Sequence, residues 1–426
     1  MSFDLDIITE DFLESLRTKT DPLADDTVNA IIESGHAKEV GRIFMTLMRN
    51  DSFKGESFND FDEELQEILN QYFIASAKLP EWYDSALIKQ GEAVFNAYGP
   101  EIFMLLNVSS LPMCYTCAKG AEVLYTTGRL VVHNNDIDPL ARRLMETAQM
   151  IMNVMSEGGL SPDGAGVITM QKVRLIHASI RHYLKQQKDE WDTERLGQPI
   201  NQEDLAGTLM SFGPVILSGL KNLNIELSES EQNAYMHCWK VVGHMMGIQE
   251  ELLPDTYDQG FALATKILSH QAAPSQAGKE LTASCIKFLS YVIPGNAFDD
   301  IPGYMMSYFL EDFSKSSGVD LISCIGVNSK EEKKDKVILA MTRYLIGQIS
   351  HLEHISIIRK ITPVFNRMLL QGMIYHFNGG KSVHFTIPPS LQKEWNLIDD
   401  WSDYKTITPN LLGNRLTWQK KTETIK

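Results

Sequence analysis

A chain of 426 residues is long enough for one large helical domain or two ordinary ones, with ample apolar sequence for a buried core. Its formal charge of −16 and pI near 5.2 repel phosphate backbones and anionic lipid heads, so neither nucleic acid nor a charged membrane surface is an expected partner. Five cysteines (Cys114, Cys117, Cys238, Cys285 and Cys324), an odd number in a long chain, exclude a disulfide-stapled secreted scaffold and point to a reducing compartment.

The first residues, MSFDLDIITEDFLESLRTK, carry acids where an export signal carries lysine or arginine before an apolar run. Nowhere do roughly 18 apolar residues run together, as a membrane-spanning helix requires. The expectation is a cytoplasmic protein without a membrane span. Strand signals are sparse, while apolar residues three and four apart recur along the chain, which predicts an all-α fold. Residues 1–75 have helical spacing and read as an N-terminal extension outside any cofactor site. A core over 76–270 follows, then an additional helical subdomain over 271–345, and a C-terminal helix with an extended tail over 346–426.

Within the core, Asp138-Pro139 places a capping side chain ahead of a first-turn proline and starts a helix over 139–155. The glycine-rich stretch from Glu157 to Gly166 must be a loop. Asn201 before QEDLAGTLM and Ser228 with Glu231, a capping-box spacing, open two more helices. Turn composition at Ala272–Gly278 and the polar stretch 316–336 bound the later subdomain.

The segment from Lys172 to Tyr183 is the most informative. On a helix, Val173, Ile176, Ile180 and Leu184 form one apolar stripe, His177 sits at its edge, and Arg174 and Arg181 share the adjoining strip. A neutral imidazole on a rigid helix suits a haem iron, and the stripe can line a porphyrin face. The guanidinium forks match either haem propionates or buried carboxylates. The same pattern also describes a core histidine held by a hydrogen bond, with its arginines in structural ion pairs.

Other candidates carry less. Arg143 and Thr147 fall at i and i+4 of the preceding helix. His237 and His244 share a face of the helix that buries Tyr235 and Trp239, but a spacing of two turns, roughly 10 Å, keeps them off one metal ion. Cys114-Tyr115-Thr116-Cys117 has no second pair and reads as ordinary buried thiols. His351 and His354, at i and i+3, have no partnering motif and read as surface or capping residues.

Taken in order, these pieces resemble a known family. Arg143-x-x-x-Thr147, the glycine-rich loop, Lys172-Val173-Arg174-x-x-His177-Ala178-x-x-Arg181, Gly197-x-Pro199-Ile200-Asn201-Gln202-Glu203-Asp204-Leu205, and His237-x-Trp239-x-x-x-Gly243-His244-x-x-Gly247 are similar to the rubber oxygenase (latex clearing protein) and MpaB-type oxygenase superfamily. The likeness spans about Pro80 to Pro254, with a fainter echo at His384–Leu391.

The resemblance implies a globin-like helical core around non-covalent haem b, with His177 as proximal iron ligand and Arg143, Thr147, Arg174, Arg181, His237 and His244 in the cofactor site. It also implies O2-dependent cleavage of carbon–carbon double bonds in isoprenoid chains. Two departures stand out. Glu146 occupies the place of a distal lysine that can cap the iron in rubber oxygenases, and no acid lies where the family has its catalytic glutamate, near Thr126-Thr127-Gly128. Glu146, with Thr147, then becomes the candidate acid or base.

Because no export signal is seen, a small apolar, isoprenoid or otherwise unsaturated substrate is expected rather than solid rubber. The expected function is therefore a haem-b-dependent oxygenase using O2. Its alternative is a haem-binding sensor or carrier without turnover. A di-iron carboxylate protein is a poorer match, since paired Glu-x-x-His motifs are missing from the sequence.

Overall fold

The computed structural model describes residues 3–43, 59–127, 138–186, 191–292 and 300–327, and beyond them Thr362, Phe365, Asn366, Leu369, Leu370 and Leu391; over 138–143 it describes the backbone alone. His351, His354 and the echo at His384–Ser390 lie outside the described residues, as does nearly all of the expected C-terminal segment. Among the described residues the regular elements are helical, in agreement with the all-α expectation, and one isolated antiparallel bridge joins Cys117 to Ala272. No helix among them is long and apolar enough to cross a membrane.

The helices are α1 Glu10–Leu16, α2 Pro22–Ile31, α3 Glu63–Ser76, α4 Ser85–Leu105, α5 Leu111–Thr116, α6 Ala118–Thr126, α7 Asp138–Met155, α8 Ala165–Gln186, α9 Gln202–Phe212, α10 Pro214–Asn222, α11 Glu229–Met245, α12 Tyr257–Gln271, α13 Gln276–Val292, α14 Ile301–Phe309 and α15 Glu311–Ser317. Local chemistry explains several starts. Thr9 accepts a hydrogen bond from the Phe12 amide to cap α1, and Asn201 accepts from the Asp204 amide to cap α9, as its position predicts. α11 opens directly after Ser228.

Two compact units divide the chain. The first comprises Met1–Ala93, Met150–Gly213 and Glu229–His270, and the second Val94–Gln149, Pro214–Ser228 and Gln271–Lys426. One of these divisions falls after residue 270, and none falls at residue 75. The reason is packing: α2 and α3 bury Ala24, Val28, Ile31, Leu65, Leu69 and Tyr72 in one cluster with Leu175, Ile176 and Ala178 of α8. The Tyr72 hydroxyl donates to the Gln171 carbonyl at 2.7 Å, and the Gln171 amide donates back to the Phe73 carbonyl and the Ser76 hydroxyl. The N-terminal helices are therefore built into this unit's core rather than appended to it.

The end of α7 meets the start of α8 through glycines. A Cβ on Gly166 would lie 2.8 Å from the Val154 Cα, and one on Gly159 would overlap the Asn153 carbonyl oxygen. Only glycine allows so close an approach. The buried Glu92 carboxylate accepts the Gly158 amide at 2.9 Å and holds the turn, where Gly158 has φ +74°.

In the second unit, α13 packs against α5 and α6, and Leu105, Tyr115, Phe288, Tyr304 and Phe309 are buried. α4 bends within this unit at Tyr98, because Pro100 offers no amide to the helix and its ring crowds the carbonyl one turn back. Cys238, Cys285 and Cys324 are buried thiols, but Cys114 and Cys117 are only half-buried, at the junction of α5 and α6. The expectation that this pair is buried is corrected: a break between two short helices leaves it partly open to solvent.

Candidate functional site

His177 lies half-buried on α8 between the two arginines that the sequence singles out. Both arginines face α2. Arg174 grips Asp21 with two hydrogen bonds, from Nε at 2.5 Å and from Nη2 at 2.7 Å, and Arg181 donates from Nε to Asp25 at 2.7 Å. Arg181 also reaches the Ile200 carbonyl at 3.3 Å. Of the two readings open at the sequence level, the structure shows carboxylates, the buried Asp21 and the half-buried Asp25, as the partners of these guanidinium groups.

Asp21 occupies the N-cap of α2 yet makes no side-chain bond to its own helix, since its carboxylate is occupied by Arg174. Burial opposes the Arg174 charge, but the hydrogen bonds and charge of Asp21 outweigh it and hold the guanidinium above its ordinary pKa. The apolar stripe is partly used up as well. Ile176 and Ile180 pack into the cluster with α2 and α3, so helix packing, rather than an open cofactor face, claims the middle of the stripe.

The Gly197–Leu205 motif proves to be the dock for the segment after α1. Gln198 and Gln202 donate their amides to the Arg17 and Lys19 carbonyls at 2.8 and 2.9 Å, and Gly197 at φ +76° leaves room for the Arg17 backbone. Arg17, 1% exposed, binds Glu203 and Asp204 at 3.0 Å each and the Leu196 carbonyl at 2.5 Å. On its other side Glu203 meets His270 at 2.6 Å, and His270 meets Glu14 at 3.3 Å. Burial raises the Glu203 pKa above the usual carboxylate range, against the pull of His270 and Arg17.

Gly247 closes the motif on α11. At φ +76° its backbone passes so near the Arg174–Asp21 pair that a Cβ would sit 2.8 Å from the Arg174 Nη2 and from the Asp21 carboxyl carbon. Gln202 ties this turn to the N-terminal segment, donating to the Gly247 and Thr20 carbonyls at 2.8 Å each.

His237 and His244 are brought together around Trp82, whose ring meets theirs edge-on at 5.7 and 5.8 Å. His237 Nε2 accepts the Asp84 amide at 3.1 Å, and burial lowers its pKa, favouring the neutral ring. His244 pairs with Glu250 at 2.7 Å, and Lys240 stands 4.3 Å over the Trp82 ring while binding Asp255. α11 packs against α8, while the hydrogen bonds and ring contacts of the two histidines run to Asp84, Glu250 and Trp82. Glu146 and Thr147 are half-buried on the part of α7 that belongs to the second unit, and the Arg143 side chain lies outside what is described.

Sequence reasoning missed Asp21, Asp25 and Arg17. The Asp21-Pro22 pair carries the same helix-start signal as Asp138-Pro139 and marks α2, but not its partner.

Among the described residues no three His, Cys, Asp or Glu side chains converge as a bare catalytic metal ion requires. Haem asks a single nitrogen donor of the protein, and the His177 ring on α8 is of the kind that would supply it. The donor chemistry therefore fits haem.

Fold and site together define an all-α protein with a histidine helix whose two arginines, Arg174 and the buried Arg181, are paired with aspartates. Residues 101–310 match the family described as ER-bound oxygenase mpaB/B'/Rubber oxygenase, catalytic domain. The rubber oxygenase of Streptomyces sp. (strain K30) is 24% identical over 265 residues, covering 62% of this chain, which in turn spans 61% of the length of that relative. The structure of latex clearing protein LCP in the closed state has the same fold, with a TM-score of 0.64 at 20% identity over 87% of this chain and 94% of that one. The family match over residues 101–310 and the rubber oxygenase relative support membership of the rubber oxygenase/MpaB oxygenase superfamily, and the solved structure shares the chain's fold.

Proposed function

We propose that this protein is a haem-b-dependent oxygenase that uses O2 on a small apolar substrate with isoprenoid or other unsaturated character. The observation that carries the reading is His177 on α8, framed by Arg174 and Arg181, each locked to an aspartate. In this reading His177 would hold the haem iron through a ring nitrogen. Arg174 and Arg181 hold α8 in place. When bound, haem b supplies the redox-active iron that makes O2 reactive.

Glu146 is the candidate group for holding and moving a proton at its carboxylate oxygen, with the Thr147 hydroxyl as a hydrogen-bonding neighbour. Support for Thr147 comes from the family pattern, whereas Glu146 stands where that pattern has a lysine and is proposed as the adjacent acid. His237 and His244 are assigned to bracing Trp82, because Asp84 and Glu250 already engage them. A haem-binding sensor or carrier is the second reading, favoured by the lack of an acid at Thr126-Thr127.

The test is an absorption spectrum of the haem-loaded chain beside His177→Ala, together with O2 uptake on unsaturated isoprenoid oligomers. A Soret band lost in the variant is expected, with uptake that depends on the oligomer. Full haem retention and an unchanged ferrous spectrum in His177→Ala would reject the ligand, and ligand binding without uptake would select the sensor.

A further inference from the structure

We infer that α2 is a brace for the His177 helix, and that Asp21 and Asp25 are positioning residues of the cofactor site. Acting through Arg174 and Arg181, they fix the rotation of α8 about its own axis and hence the direction in which His177 presents its ring. The inference rests on the proposed reading of His177 as a haem ligand.

The geometry is that of two rungs on one line. At about 100° per residue, positions 174 and 181 fall within about 20° of each other around α8, and position 177 lies about 40–60° further round. Both rungs end on α2, whose Asp21 and Asp25 are one turn apart. A roll of α8 would stretch both pairs at once. It would also carry the imidazole: about 20° of roll moves a nitrogen some 6 Å from the axis through roughly 2 Å. A productive ligand geometry tolerates only about 0.5 Å.

Three further observations show that the rungs are built in. Asp21, 1% exposed, forgoes capping its own helix in order to bind Arg174. Gly247 is left without a side chain where that pair passes. The chain just before α2 is pinned at Arg17 by Glu203 and Asp204. The whole brace, Thr9 to Ile31, lies outside residues 101–310, which match the oxygenase catalytic domain. The matched region therefore does not contain the carboxylates that hold its own arginines.

The experiment uses the full-length chain with Asp21→Asn and Asp25→Asn, the conservative Asp25→Glu, and Asp26→Asn as a control, since Asp26 is exposed on the same helix. The readouts are the rate of haem transfer to apomyoglobin, the iron–histidine stretch in the ferrous Raman spectrum, and the nitrogen resonances of the His177 ring in the haem-free chain. Asp21→Asn should lose haem about tenfold faster, the low end of what removal of an outer-shell partner produces, and Asp25→Asn less so. Both should shift the stretch, while Asp25→Glu and Asp26→Asn should match wild type.

Folded Asp21→Asn and Asp25→Asn proteins with wild-type haem loss and an unmoved stretch would overturn the brace and leave the proposed function standing. If the wild type takes up no haem, that function fails, and the ring resonances decide the brace: a shift in the two asparagine variants but not in Asp26→Asn supports it, and no shift overturns it. Should Asp21→Asn fail to fold, Asp25→Asn against Asp25→Glu decides on the same readouts.

Discussion

Along α8 and α9 the paired charges lie deep, the side chains of Arg17, Asp21, Arg181 and Glu203 being at most 2% exposed and those of Arg174, Asp204 and Asp25 12, 12 and 22%, whereas around Trp82 the pairs stand half open, with Asp255 at 42% and Glu250 at 43%. The same residue types thus serve two purposes. Where both partners are buried, removing one strands a charge in a poorly solvated setting; where one reaches solvent, water replaces the lost partner. The first region should be intolerant of single changes and the second permissive.

The sharpest way to break this contrast is Arg17→Ala. It leaves Glu203 buried without its guanidinium and should cost about 3–5 kcal/mol in urea denaturation; a loss below about 1 kcal/mol would mean that water or His270, 2.6 Å away, makes good the lost partner. Gly247→Ala comes next. A side chain at φ +76° pressed against Arg174 should cost about 1–3 kcal/mol, read as a lowered melting temperature, and Arg174→Lys in the same background should recover part of it.

Glu92→Gln sharpens the comparison through pH. Burial raises the Glu92 pKa, with Glu157 adding to the rise, although the Gly158 amide opposes it. A carboxyl whose pKa rises on folding holds its proton more tightly in the folded chain. Wild-type stability therefore falls as pH climbs from the ordinary glutamate value through the raised one. Glutamine keeps the acceptor for Gly158 without the charge. The variant should gain on wild type at neutral pH, and the gain should shrink on descent to about pH 4.3. Urea midpoints at the two pH values check this, and a gain that grows on acidification would refute it. The smallest effect belongs to His244→Ala at the Trp82 corner, within about 1 kcal/mol, as expected of an exposed pair.

Helix content, the Asn201 cap, the α7–α8 loop and the Arg174–His177–Arg181 strip were legible in the sequence, because each rests on spacing of a few residues. The partners were not. Arg174 meets Asp21 across 153 positions and Arg17 meets Glu203 across 186, and no local pattern encodes which acid answers which arginine. For the same reason the first 75 residues read as an extension: their apolar spacing showed that they form helices, while the surface they cover, Leu175 to Ala178, comes a hundred residues later. The tie of His237 to the Asp84 amide was equally out of reach, since it joins a helix to a loop 153 positions away.

The distance between Asp21 and Arg174 also sets a timetable for synthesis. At about 5–20 residues per second the ribosome releases α2 roughly 8–30 s before the 153 residues that bring Arg174 have followed it. During that interval the two aspartates can be satisfied only by water, and Ala24 and Val28 have no α8 to cover them. α2 is made early but cannot be secured until α8 has followed it, so the nascent chain passes through a window in which this helix is open to chaperones and proteases.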